Sequence, residues 1–217
     1  MATIEQKTLK RPDIPVLILA GGLATRMGGG DKALMQLGQG TLLDRIIERL
    51  RPQTNVILLN ANGDAARFAH FSLEVVPDTI EDWPGPLAGV LAGLDWAAAR
   101  GYEQIITVAA DTPFVPHDLV ERLAEEATSQ MVPIALAASR DENGSLRRHP
   151  TFGLWPVRVR DDLRAQLEAG QRRVGAFADR HGAACALFSD DSGDPFFNIN
   201  TPADLQLAEQ RLRGQRA

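Results

Sequence analysis

A chain of 217 residues, 44% apolar and 24% charged, has the balance of a globular protein, which excludes wholesale disorder and a fibrous or collagen-like architecture. Its 23 basic and 28 acidic residues leave a net charge of −5, a poor match to a general nucleic-acid or anionic-membrane binder, so an anionic ligand needs positive charge gathered locally. The single cysteine, Cys185, excludes an internal disulfide, Cys/His zinc spacing is absent, and no apolar run approaches the roughly 18 residues of a membrane span.

Residues 1–13 read as a loose leader, polar and without the basic-then-apolar order of a secretory signal, so the cytoplasm is the expected location. Residues 15–20 (PVLILA) form a continuous apolar run, the pattern of a strand buried on both faces, and lead into a glycine-rich loop over 21–32. Thr41-Leu-Leu-Asp44 predicts a capping box opening a helix with Leu42, Leu43, Ile46, Ile47 and Leu50 on one face, stopped by Pro52. A second buried strand is predicted over 55–60 and a short third over 74–76. Pro86 suits the first turn of a helix whose apolar face is Leu87, Val90, Leu91 and Leu94, closed by Gly101. Residues 104–109 read as a further buried strand ending at Asp111, 116–128 as a helix, and 131–138 as apolar and extended. Beyond Ser139 the pattern loosens. Residues 140–150 are polar and charged, 151–155 suit a strand, 158–169 and 174–180 helices, 184–188 a strand, and 201–213 a terminal helix with Pro202 in its first turn.

Strands alternating with helices, in continuous apolar runs, predict a doubly wound α/β fold: a mostly parallel sheet with helices on both faces. No linker divides the chain, so residues 14–217 are expected to form one domain, a first half at 14–112 elaborated by a second at 113–217. Ligands of such folds gather at the carboxyl ends of the strands. The loops after Ala20, Asn60, Val76 and Ala109 are therefore the places to search.

In the loop GGLATRMGGGDK, five of twelve residues are glycine, and Arg26 and Lys32 add charge. Glycine lets backbone N–H groups approach an anion closely, Arg grips phosphate oxygens in a fork, and Lys adds a compact charge. That is the chemistry of a polyphosphate cradle, set against a surface loop with solvated charges. It is not a Walker A loop, because Lys32 is followed by Ala33, and the glycine spacing is not Gly-x-Gly-x-x-Gly.

Asp111 opens Asp-Thr-Pro-Phe at the end of a buried strand, where a carboxylate suits Mg²⁺ or, alternatively, a turn before Pro113. Asn60 and Asp78 lie just beyond apolar strands. On its own, Asn60 reads more readily as a turn residue than as a ligand. Residues 85–89 (GPLAG) offer either free N–H groups at a helix start or a close packing contact at Gly89. Arg147, Arg148 and His149 form a basic cluster or a solvated charge run, and Asn198-Ile-Asn200-Thr-Pro contributes amides or an N-cap. Trp96 falls at core spacing, Trp83 suits packing or a flat wall for a ring system, and the four histidines lack ligand spacing.

Leu19-Ala-Gly-Gly22, Arg26-Met-Gly-Gly29 and Asp31-Lys32 resemble the signature L-A-G-G-x-x-x-R-M-G-G-x-D-K of molybdenum cofactor guanylyltransferases, within the wider group of NTP-dependent nucleotidyltransferases with a Rossmann-like sheet. The resemblance implies GTP and molybdopterin as substrates and guanylyl transfer with release of pyrophosphate. It implies nucleotide contacts at Leu19, Ala20, Gly21, Gly22, Lys32, Asn60 and Asp78, and Mg²⁺ on Asp111 of the family's D-x-P motif. Arg26, Lys32 and Asp111 would carry the catalytic charge, with the 147–149 and 198–200 segments toward the pterin. Molybdoenzymes or chaperones are the implied acceptors. Cytidylyl transfer to the same pterin, sugar-phosphate nucleotidyl transfer and noncatalytic GTP binding stand as alternatives.

Overall fold

The structure, a computed structural model, describes residues 13–21, 31–80, 85–141, 143–189 and 193–214. In chain order the elements are β1 (Val16–Leu19), a small ribbon of β2 (Gln36–Leu37) and β3 (Gly40–Thr41), α1 (Leu42–Leu50), β4 (Ile57–Asn60), β5 (Glu74–Val76), α2 (Pro86–Ala99), β6 (Gln104–Ala109), α3 (Leu119–Ser129), β7 (Ala135–Arg140), β8 (Leu146–Pro156), α4 (Arg160–Glu168), α5 (Val174–Arg180), β9 (Ala184–Leu187) and α6 (Pro202–Gly214). Seven strands form one sheet in the order β5-β4-β1-β6-β8-β7-β9. β1 runs parallel to β4 and β6, β4 to β5, and β7 to β9, while β8 is antiparallel to both its neighbours. The expected α/β architecture, a mostly parallel sheet with helices on both faces, is what the chain forms.

The continuous apolar runs are explained by burial on two sides. Val16 and Ile18 of β1 face a core shared with Leu43 and Ile46 of α1 and Leu119 and Leu123 of α3. Leu17 faces the opposite core, with Leu87, Val90 and Leu94 of α2, Leu163 of α4 and Phe177 of α5. Period-2 side-chain alternation sends neighbours to opposite faces, so a strand covered on both needs apolar residues throughout. The capping box at α1 forms as its sequence indicates. The Asp44 backbone N–H donates to Thr41 Oγ1 at 3.1 Å, and the Thr41 N–H donates to Asp44 Oδ2 at 2.7 Å.

Two stretches differ from the sequence expectation. Residues 146–150, expected as polar loop, are the first half of β8 and pair with β7 from Arg140↔Leu146 to Ala137↔His149. The connecting turn is closed by Asp141 and Ser145, with Gly144 at φ +77°. Asn143-Gly144 is the local hairpin signal. Arg147 and Arg148 point to opposite faces of the strand and both are exposed, so neither face is covered at this end of β8 and charge is tolerated on both. Met131, expected in an extended run, instead ends α3 at φ +53° and is 91% exposed, with β7 beginning four residues later. Cys185 sits half-buried on β9, and burial pushes its thiol up, away from the reactive thiolate.

Candidate active site

Strand register brings Val76, Asn60, Leu19 and Ala109 into one row across the carboxyl edge of the sheet. The chain steps outward from β1 through β4 to β5, then returns to β1's other side with β6. This reversal is the switch point where open α/β sheets hold their ligands. The strand ends are tied together just past that row, with Ala20 N–H donating to Asn60 O at 2.9 Å and Ala110 N–H to Leu19 O at 3.1 Å. Leu19 and Ala20 thus sit at the centre of the edge, and Gly21 is exposed, with open space where a Cβ would stand. Gly22, Arg26 and Trp83 lie outside the described residues.

On the β6 side, Lys32 starts a short 3-10 turn that buried Ala33 anchors in the core. Its Nζ donates to Asp111 Oδ2 at 2.7 Å, to Asn200 Oδ1 at 2.6 Å and to Asn198 Oδ1 at 3.3 Å. The Lys32 and Asp111 side chains are 12% and 22% exposed, a cleft setting that strengthens the ion pair relative to a surface one. Residues 79 and 168 positions apart in the chain meet here. The approach of the 198–200 segment follows from its N-I-N alternation. Ile199 is fully buried against Leu37, Leu42 and Phe114, while its N–H donates to Asp111 O at 2.9 Å, which aims both flanking amides at Lys32. Asn200 and Thr201 also donate backbone N–H bonds to Asp204 Oδ2 at the start of α6. The Asn200 backbone bond foremost, then the Thr201 hydroxyl, holds the Asp204 carboxyl below the usual carboxylate range. The N-cap and the site contribution coexist in one segment.

On the β4 side, Asn60 is no idle turn residue. Its buried Nδ2 donates to Val76 O at 3.0 Å and Asp78 Oδ1 at 2.9 Å. Asn62 matches it, donating from Nδ2 to Asp78 Oδ2 at 2.8 Å and accepting the Asp78 N–H at 2.8 Å. Two amides thus fix one carboxylate, an acceptor suited to a base that presents N–H donors. Of the two readings of residues 85–89, the close-packing one has its geometric counterpart at Gly89. A Cβ there would lie 2.3 Å from Asn60 Oδ1 and 2.7 Å from Leu19 Cδ2, so α2 descends onto the site only because position 89 has no side chain.

The basic cluster at 147–149 does not act as one. Arg148 pairs with Asp179, Arg147 stays exposed, and burial pushes His149 down to about 4, leaving a neutral ring. His149 Nε2 lies 2.8 Å from Ser139 Oγ, and its ring stacks on Phe196 at 4.1 Å. Phe152 and Phe188 pack edge-on against the same Phe196, which anchors the chain two residues before Asn198. Sequence reasoning singled out neither Phe196 nor Asn62. The second had a signal, its two-residue spacing from Asn60 beyond a strand end; the first had only its distance in sequence from the partners it meets.

Among the described residues no group of three or more His, Cys, Asp and Glu side chains gathers into a metal cluster. The donor set around Lys32 is one carboxylate and two amide oxygens. A groove of 1360 Å³ opens at the opposite end of the sheet, lined by Thr54, Gln104 and Pro156 among others, and no residue of the site borders it.

The family model for the MobA-like NTP transferase domain matches residues 16–184. A molybdenum cofactor guanylyltransferase of Mesorhizobium japonicum is 49% identical over 208 residues, covering 94% of this chain and 98% of the relative. One from Rhodopseudomonas palustris is 48% identical over 202 residues, covering 92% and 94%. The fold is similar to that of molybdopterin-guanine dinucleotide biosynthesis protein A from Archaeoglobus fulgidus, with a TM-score of 0.71 at 22% identity over 93% of this chain and 100% of that one.

Proposed function

The chain belongs to the family of MobA-like NTP transferase domains, and from that membership we propose that it transfers GMP from GTP to the terminal phosphate of molybdopterin, free or molybdenum-loaded, releasing pyrophosphate. The observation that carries the reading is the convergence of Lys32, Asp111, Asn198 and Asn200 at the switch point, one strand away from the Asn60–Asp78 pair.

The nucleophile is the pterin phosphate attacking the α-phosphorus. A phosphate monoester has its second pKa near about 6, so it is largely dianionic at neutral pH and needs no side-chain base. The protein's task is alignment and charge neutralisation of two anions. Lys32 holds charge that builds on the departing pyrophosphate, joined by Arg26 and the amides of Gly21 and Gly22. Asp78, fixed by Asn60 and Asn62, accepts N–H bonds from guanine, and Leu19 and Ala20 give the nucleotide its floor. Mg²⁺ fits the site chemically: the three atoms facing the Lys32 ammonium are all oxygens, the hard donors it prefers, and one carboxylate plus substrate phosphates is its common arrangement. Asp111 would hold it with Asn200 beside, and when bound it supplies neutralisation of the triphosphate. Asn198 and the exposed Arg147 face the pterin. A cytoplasmic setting and acceptors among molybdoenzymes or their chaperones belong to the same proposal. Among the described residues no helix is long and apolar enough to cross a membrane.

The test is the purified protein with molybdopterin, Mg²⁺ and each of the four NTPs, read as pyrophosphate release. GTP alone supports turnover, and Lys32→Ala and Asp111→Ala each lower it by on the order of 10²–10³ with the fold intact. Product from CTP points to cytidylyl transfer instead; GTP bound without product points to a noncatalytic module.

A further inference from the structure

Arg67 has no place in the site just described, yet its guanidinium joins the site's two halves. It lies in the 3-10 segment Ala65–Phe71 between β4 and β5, where buried Phe68 and Phe71 lock the backbone into the core. Its Nε donates to Asp31 Oδ2 at 2.6 Å, its Nη2 donates to Asn62 O at 2.6 Å, and its Nη1 donates to Asp64 O. All three nitrogens are used, toward three different residues. Asp31 is the residue before Lys32, and its carbonyl accepts the Leu34 N–H at 3.1 Å that closes the lysine's turn. Asn62, on the other side, is bonded twice to Asp78.

We propose that Arg67 is a positioning residue of the nucleotide site, fixing the turn that presents Lys32 to the phosphates against the loop that presents Asp78 to the base. It touches neither group itself. The connected chain runs Lys32–Asp31–Arg67–Asn62–Asp78, so the spacing between phosphate cation and base acceptor is set by one planar fork. An ordinary surface ion pair contributes little and leaves such a spacing loose. This pair is different: the Asp31 and Arg67 side chains are 17% and 28% exposed, and the fork is held in place by the two backbone carbonyls. Lysine in place of Arg67 puts a single nitrogen where the fork places three, and so does not reproduce its three directed bonds.

The inference rests on the guanylyl-transfer reading, and the test separates the two. Calorimetric titration with GTP, GMP and ATP is compared for the wild type, Asp31→Asn, Arg67→Lys and Arg67→Ala, with thermal melting of each. Asp31→Asn, nearly isosteric, weakens GTP by on the order of tenfold while leaving GMP, which lacks the outer phosphates, unchanged. Arg67→Ala weakens GTP and also erodes the preference for GTP over ATP. Arg67→Lys retains more GTP affinity than the alanine variant but loses base preference to the same degree. Equal losses for GTP and GMP in Asp31→Asn, or unchanged affinities in folded variants, overturn the positioning role while the functional reading stands. A wild-type protein that binds no guanine nucleotide overturns both.

Discussion

At the scale of single residues, the site is decided by which charges are left available. The pairing of Arg148 with Asp179 and the desolvation of His149 remove two cations from a run that looks uniformly basic in sequence. His149 also makes stability depend on pH. Its folded pKa of about 4 lies below the ordinary 6.5, so the unfolded chain binds the proton more readily across that interval. Stability conferred by the neutral ring is full above about pH 6.5, and falls as pH drops toward 4, by on the order of 3 kcal/mol if nothing relaxes. Denaturant melts at pH 7 and pH 4.5 check this: the His149→Gln variant shows a shallower loss than the wild type. Parallel losses in the two proteins contradict the assignment. At this scale the sequence made Lys32, Asp111, Asn60 and Asp78 visible through strand ends and motif spacing. Arg67 and Phe196 stayed hidden because their partners are non-local, and no local periodicity encodes such a meeting.

At the scale of elements, most boundaries follow from local chemistry. The Thr41–Asp44 capping box, Pro86 at a helix start and the two-sided apolar strands are each legible in a short window. The Asn198-Ile-Asn200 segment was half legible: its motif drew attention, while the burial of Ile199 that turns both amides to Lys32 belongs to packing with α6 and the β2–β3 ribbon. The β7–β8 hairpin was missed because charge in residues 146–150 outweighed the Asn-Gly turn signal. α2 offers the sharpest element-level prediction. Gly89→Ala forces a methyl against Asn60 and Leu19, so overpacking costs roughly 1–3 kcal/mol and displaces the amide that holds Asp78. Thermal melting and GTP titration both register it. A variant with wild-type melting and affinity would mean that α2 can lift without disturbing the base side.

At the scale of the whole molecule, a chain of net charge −5 brings the Lys32 ammonium to the carboxyl edge of its sheet beside Asp111, Asn198 and Asn200. The doubly wound α/β class was readable from element order. The antiparallel insertion of β8 between β6 and β7 was not, since which strand edges meet is a non-local pairing that no short window of sequence encodes. That insertion moves the chain's second half to the β6 side, where the 198–200 segment returns to Asp111. The central claim is that one nucleoside triphosphate spans this edge from Asp78 to Lys32. Its most direct test is a crystal structure with GTP and Mn²⁺. The account predicts guanine beside Asp78 and anomalous scattering from manganese at Asp111. Nucleotide in the groove at Thr54 and Gln104, or manganese remote from Asp111, would contradict it.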